Sequence, residues 1–198
     1  SAVVNRAICR MNKGDLEGAL ADWNDVVGRR PNGNRFRILR AQCLIRLGQP
    51  IAGLIDQALA YRVEPDDEFG YATRGYLRLF DAAGRLRPNL TEDEIEGALN
   101  DLLRSVTMNP RNSFTLTNRV TALQRLNRLP EAVDALEELL QQYPNQFLMR
   151  ATRAALLAEL GRKDDALAEA TMVERQAPQN AHVNYQLGAM YALLSKDD

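Results

Sequence analysis

Residues 14–31 read GDLEGALADWNDVVGRRP, and residues 161–178 read GRKDDALAEATMVERQAP. Each stretch opens on glycine, places alanine five positions on (Ala19, Ala166) and closes on proline twelve beyond that (Pro31, Pro178). Gly48, Gly53 and Pro65 repeat the pattern with glycine in the alanine place, and Asn127, Ala132 and Pro144 repeat it with asparagine in the first. Working outward, Pro31, Pro65, Pro110, Pro144 and Pro178 form a ladder with spacings of 34, 45, 34 and 34. Ala19, Gly53, Ala98, Ala132 and Ala166 run parallel to it, and Ala7, Ala41, Gly75, Val120 and Ala154 form a third, spaced 34, 34, 45 and 34. Three ladders in one register mark a repeat protein whose middle unit carries 11 extra residues between Gly75 and Ala98.

The spacing predicts two helices per unit. Apolar-periodic stretches such as Asn5–Lys13 and Leu16–Val27 are separated by Gly14, Gly48, Asn127 or Gly161, residues that tolerate the left-handed conformation ending a first helix. Small residues on two ladders let the antiparallel pair approach closely, and proline stops the second helix. Leu123, Leu136, Leu139 and Leu140 are expected to fill the space within and beside the fourth pair. A pair this small cannot bury its own apolar face, so stacking has to supply the stability.

A unit of 34 residues with small residues at its eighth and twentieth positions and proline at its thirty-second resembles the tetratricopeptide repeat. Leu187-Gly188-x-x-Tyr191 matches the first-helix signature of that family, and 14–31 and 161–178 match its second half. Arg37 and Arg150, where the family has larger apolar residues, and the insertion are departures. The resemblance implies an all-α solenoid, a right-handed superhelix of five helix–turn–helix units. Their approximate bounds are 1–33, 34–67, 68–112, 113–146 and 147–180, followed by a final helix at 181–195. The chain opens inside a first helix and closes after half a repeat; a fragment of a longer protein is the expectation, with a complete array capped by its last helix as the competing reading.

Arg6, Arg40, Arg74, Arg119 and Arg153 share the seventh position of every repeat. Asp22, Asp56 and Glu169 follow three of them by sixteen residues, and Asp101 follows Arg74 at sixteen plus the inserted eleven. The fourth repeat has Ala135 there, with Asp134 adjacent. An acid at fixed register across a helix pair predicts an ion pair inside each repeat, not a ladder for phosphates.

The composition narrows function. With 25 basic and 26 acidic side chains, the near-neutral balance argues against a protein that binds phosphate backbones, so nucleic acid is not an expected partner. No stretch is apolar for the length of a membrane span. One histidine, His182, leaves too few parts for a His-based metal cluster or a Cys–His relay, and no glycine-rich phosphate loop appears, so no catalytic residue, metal or cofactor is assigned. Cys9 and Cys43, at equivalent tenth positions, are expected to be buried packing residues, and as unpaired thiols they lean towards the cytoplasm. Asp66-Asp67-Glu68 is expected to open a helix, and Thr91 with Glu94 to form a capping box.

Members of the resembled family hold peptides on the face lined by first helices. Transferring those positions here gives a candidate groove of Arg35, Gln42, Arg46, Phe69, Tyr76, Phe80, Phe114, Asn118 and Arg125, continuing into the alanines Ala151, Ala155 and Ala158. The carboxylate clamp of chaperone-binding members is not matched: Val4 and Ile8, Ile38 and Gln42, Ala72 and Tyr76, or Thr117 and Thr121 stand where it needs Lys and Asn. The implied function is a non-catalytic scaffold holding a partner's peptide or helix, with apolar anchors and an acidic residue or two. The alternative is a structural spacer or self-assembly module. Residues 1–50 hold 9 basic and 4 acidic groups against 5 and 10 in 51–100, an asymmetry that would permit self-association weakened by salt. The insertion from Ala82 to about Thr91 is expected as a surface loop or a partner-contacting one.

Overall fold

The computed structural model describes residues 2–81, 84–176 and 180–195. Among these residues it is built from helices: α1 (Ala2–Lys13), α2 (Leu16–Arg29), α3 (Asn34–Arg46), α4 (Pro50–Arg62), α5 (Glu68–Leu79), α6 (Glu92–Met108), α7 (Ser113–Arg125), α8 (Leu129–Gln142), α9 (Phe147–Glu159), α10 (Lys163–Gln176) and α11 (Ala181–Leu194). They fall into two compact units, Ser1–Asn109 and Pro110–Asp198.

The local chemistry sets the element ends. Gly14, Gly48, Asn127 and Gly161, the four residues that open the repeated pattern, all have positive φ, between 55° and 84°, and each ends a first helix. Asp15 caps α2 by accepting from the Gly18 backbone N–H, and Asp67 does the same for α5 through Gly70. Thr91 and Glu94 form the reciprocal capping box that starts α6. Pro50 occupies the first turn of α4, where a missing N–H costs nothing.

In the first unit, α1 packs on α2, α3 on α4 and α5 on α6, with α2 joining α3 and α5 touching both α3 and α4. The small-residue ladders lie at the closest approaches. Ala7, Ala19, Ala41 and Ala98 are fully buried, and a Cβ on Gly75 would sit 2.8 Å from Leu102 Cγ and 3.1 Å from the Ala98 carbonyl oxygen. Trp23 is fully buried; its Nε1 donates to Met11 Sδ at 3.1 Å and its ring stacks on Phe36 at 6.5 Å between centroids. In the second unit α7 packs on α8, α8 on α9, and α9 on both α10 and α11, around Leu116, Leu123, Leu136, Leu139, Leu157 and Met190. The alanines of α9 are not an open groove: Ala151 and Ala158 are buried in this packing.

The arginine ladder makes the ion pairs its spacing predicts. Arg6 reaches Asp22 at 2.6 Å, Arg40 reaches Asp56 at 2.5 Å, Arg74 reaches Asp101 at 2.7 Å, and Arg153 pairs with Glu169. Each acid is buried and takes a second arginine from the same helix: Arg10, Arg37, Arg78 and Arg150 respectively. In the fourth repeat Arg119 turns instead to Glu138 on α8, one turn beyond the alanine. The ladder also ties neighbouring repeats together. Arg40 donates to Asn24 Oδ1 on α2, Arg74 to Glu64 and the Val63 carbonyl after α4, and Arg153 to Glu137 on α8.

Cys43 is buried, with its Sγ 3.2 Å from the Leu16 carbonyl oxygen of the preceding repeat. Cys9 is exposed, contrary to the expectation from its equivalent position, because among the described residues no helix pair lies beyond α1 to cover it.

These pairs give the first unit an acid-side limit. Asp22 is held below the ordinary carboxylate range chiefly by hydrogen bonds from Arg6, against the opposing effect of burial. Glu64 is lowered by hydrogen bonds from Arg74 and Tyr71, and Glu94 by the Thr91 backbone N–H. A carboxylate lowered on folding adds stability above its unfolded value of about 4 and loses it as pH falls through the folded one. Thermal melts followed by circular dichroism are therefore expected to be flat near neutrality and to fall below about pH 5, with a shallower fall in Asp22→Asn. A melting temperature that rises on acidification would contradict this.

Candidate functional site

The first unit contains a cleft of about 1010 Å³. Ile38, Gln42, Ile45 and Arg46 of α3 line it together with Thr73, Tyr76 and Leu77 of α5 and Phe80, which follows that helix. Met11 of α1, Gln57, Ala58 and Tyr61 of α4, and Asp81, Arg87 and Glu94 complete the lining. Tyr76 and Phe80 stack with centroids 4.6 Å apart and planes 16° from parallel. The Arg78 guanidinium lies 5.6 Å over the Tyr61 ring.

The inserted segment builds part of this wall. Phe80 and Leu86 make an antiparallel bridge; the Asp81 N–H donates to the Arg85 carbonyl at 2.8 Å and the Arg87 N–H to the Leu79 carbonyl at 2.9 Å. Arg87 then donates to the Arg78 carbonyl and to Glu94, the same glutamate that closes the capping box of α6. The described part of the insertion is thus folded back on the ends of α5 and α6; Ala82 lies outside the described residues.

Of the candidate groove residues, the cleft collects four: Gln42, Arg46, Tyr76 and Phe80. Arg35 and Phe69 are elsewhere, the guanidinium 4.9 Å over the ring, beside a hollow of about 240 Å³ floored by Phe36 and edged by Arg30 and Asp67. Phe114, Asn118 and Arg125 belong to α7 in the second unit. Phe114 and Arg125 are exposed, but Asn118 is buried and its Nδ2 donates to the Phe114 carbonyl at 2.8 Å. The sequence reading left out the contribution of α4. Its signal was present: between Pro50 and Tyr61 the one charged side chain is Asp56, already used by Arg40, so the helix is apolar on more than its inner face.

Gln42, Gln57 and Arg46 face the cleft, and none has a hydrogen bond or ion pair with another described side chain. Amides of this kind can serve a peptide backbone, and a guanidinium a carboxylate. Among the described residues no three His, Cys, Asp or Glu side chains converge as a metal site would need, and no helix is long and apolar enough to cross a membrane.

The tetratricopeptide-repeat profile matches residues 117–181. No curated protein matches the sequence. Among solved structures, YrrB, described as a TPR protein with an unusual peptide-binding site, is similar at a TM-score of 0.63 and 14% identity, over 92% of this chain and 89% of its own. PilF of Pseudomonas aeruginosa gives 0.64 and 15% over 99% and 85%. TTC0263, a TPR protein of Thermus thermophilus, gives 0.53 and 19% over 96% and 98%. Identities this low speak for the fold alone. The ladders, the helix pairs they predict, the profile match over residues 117–181 and this shared architecture lead to one conclusion: the chain has the fold of tetratricopeptide-repeat proteins.

Proposed function

We propose that the chain is a non-catalytic scaffold that holds a segment of a partner protein in the cleft of its first unit. The observation that carries this reading is the cleft itself, a recess of about 1010 Å³ with apolar walls in which Arg46 and two glutamine amides have no partner among the described side chains. An apolar anchor fits between Ile38, Ile45, Tyr61 and Tyr76, and an acidic neighbour meets Arg46. Preformed helices hold these groups in place, which limits the ordering cost of binding. Arg35 and Phe69 offer a further contact within the first unit.

Selection from a random peptide library tests this. The wild-type chain should enrich peptides that pair an aromatic or large aliphatic residue with Asp or Glu. Tyr76→Ala and Arg46→Glu should each weaken the selected peptides by roughly tenfold or more, and Arg125→Glu should leave them unchanged. Equal binding by wild type and both cleft variants, all confirmed helical by circular dichroism, would sink the proposal.

A further inference from the structure

Helix α4 carries a second surface, outside the cleft apart from a shared edge at Ala58. Ile51, Leu54, Ile55 and Leu59 are 75, 59, 56 and 40% exposed, Ala58 is exposed too, and their spacing aligns them as one stripe along the helix. A helix on the surface of a monomer normally turns charge to the water. Here Asp56 is buried on Arg40 and Arg37, and the stripe bears no charge until Arg62 at its end. We infer that this stripe is the contact face of a homodimer, with α4 of one copy lying antiparallel on α4 of a second.

Three features point to a second copy of the chain. Three of its large residues are evenly placed about Ile55, with Ile51 four residues before it and Leu59 four after, while Leu54 and Ala58 lie off that symmetry. A twofold axis at Ile55 therefore sets Ile51 of one copy on Leu59 of the other and each Ile55 beside its own counterpart, the self-complementary arrangement of an isologous contact. The same operation brings Arg62, which makes no ion pair among the described residues, beside Gly48 of the other copy. That is the carboxyl end of α3, where the helix dipole favours a cation. The area agrees with a modest dimer. The four side chains leave on the order of 400 Å² in water, the size of the largest apolar patch on an ordinary monomer. Two such faces would bury about 800 Å², below the range of permanent interfaces, so the dimer forms and dissociates with concentration. The apolar part of this contact does not weaken in salt and only the Arg62 contact is screened, unlike association driven wholly by the opposite charges of residues 1–50 and 51–100.

Sedimentation velocity from about 1 to about 300 μM is the test, with Ile55→Glu and Ile55→Lys measured alone and as an equimolar mixture. Wild type should pass from monomer to dimer in this range, with at most a small loss at about 0.5 M NaCl. Each variant alone should associate at least roughly tenfold more weakly, because like charges meet on the axis, and the mixture should recover association. Position 55 is more than half exposed, so both variants should keep the wild-type circular dichroism. A wild type that stays monomeric throughout, variants that dimerise like wild type, or a mixture that fails to recover overturns the inference. Tyr76→Ala, on the cleft, should leave the dimer intact, so this result and the peptide result succeed or fail separately.

Discussion

Asp101→Ala lowers the stability of the first unit by about 3–5 kcal/mol, read as an earlier urea midpoint of Trp23 fluorescence. The reason is the charge left behind. Arg74 has a side chain only 8% exposed and places both Nε and Nη2 on the Asp101 carboxylate, at 2.9 and 2.7 Å. Burial acts to lower its pKa, but the hydrogen bonds to Asp101 and Glu64 outweigh it and raise the value, so the group is charged at every accessible pH. Removing the acid leaves that charge desolvated, and Glu64, which is well exposed, is a poor replacement. Arg78 loses the same partner, although it reaches water. The double variant Arg74→Met/Asp101→Leu removes the charge along with its partner and should recover more than half of the loss. A cost below about 1 kcal/mol for Asp101→Ala would show that the ladder behaves as a set of surface pairs.

Trp23→Ala costs a similar amount, about 3–5 kcal/mol, by a different mechanism. The side chain is fully buried on α2, where it meets Met11 of α1 and Phe36 of α3. Truncation removes the largest apolar group of the first two repeats, opens a void at the junction of three helices and strips the thioether of its donor. Urea unfolding followed by circular dichroism measures this without the lost fluorophore. Trp23→Phe should keep the stacking on Phe36 and lose less than half as much. A loss for Trp23→Ala below about 1.5 kcal/mol would mean that the first two repeats close over the gap.

The sequence determined whatever repeats in register. The left-handed turns at Gly14, Gly48, Asn127 and Gly161, the buried small residues at the helix crossings, the capping box at Thr91 and the arginine–acid pairs at sixteen residues were legible because each depends on neighbours supplied by the same unit at the same spacing. Even the broken rung at Ala135 was visible; that Arg119 would turn to Glu138 was not, since a long side chain chooses among several acids on one helix. Only the tertiary structure decided what lies between repeats. It opened a cleft in which Gln42, Arg46, Tyr76 and Phe80 meet Tyr61 of a second helix, sent Arg35 and Phe69 to a separate hollow, and buried Asn118. It folded the described insertion back on α5 and α6, and it gave Cys9 and Cys43 different environments at one repeat position. Register fixes which residues face a neighbouring repeat, but the distance to that neighbour, and the path of a segment that has no counterpart in the other repeats, follow from packing over the whole unit.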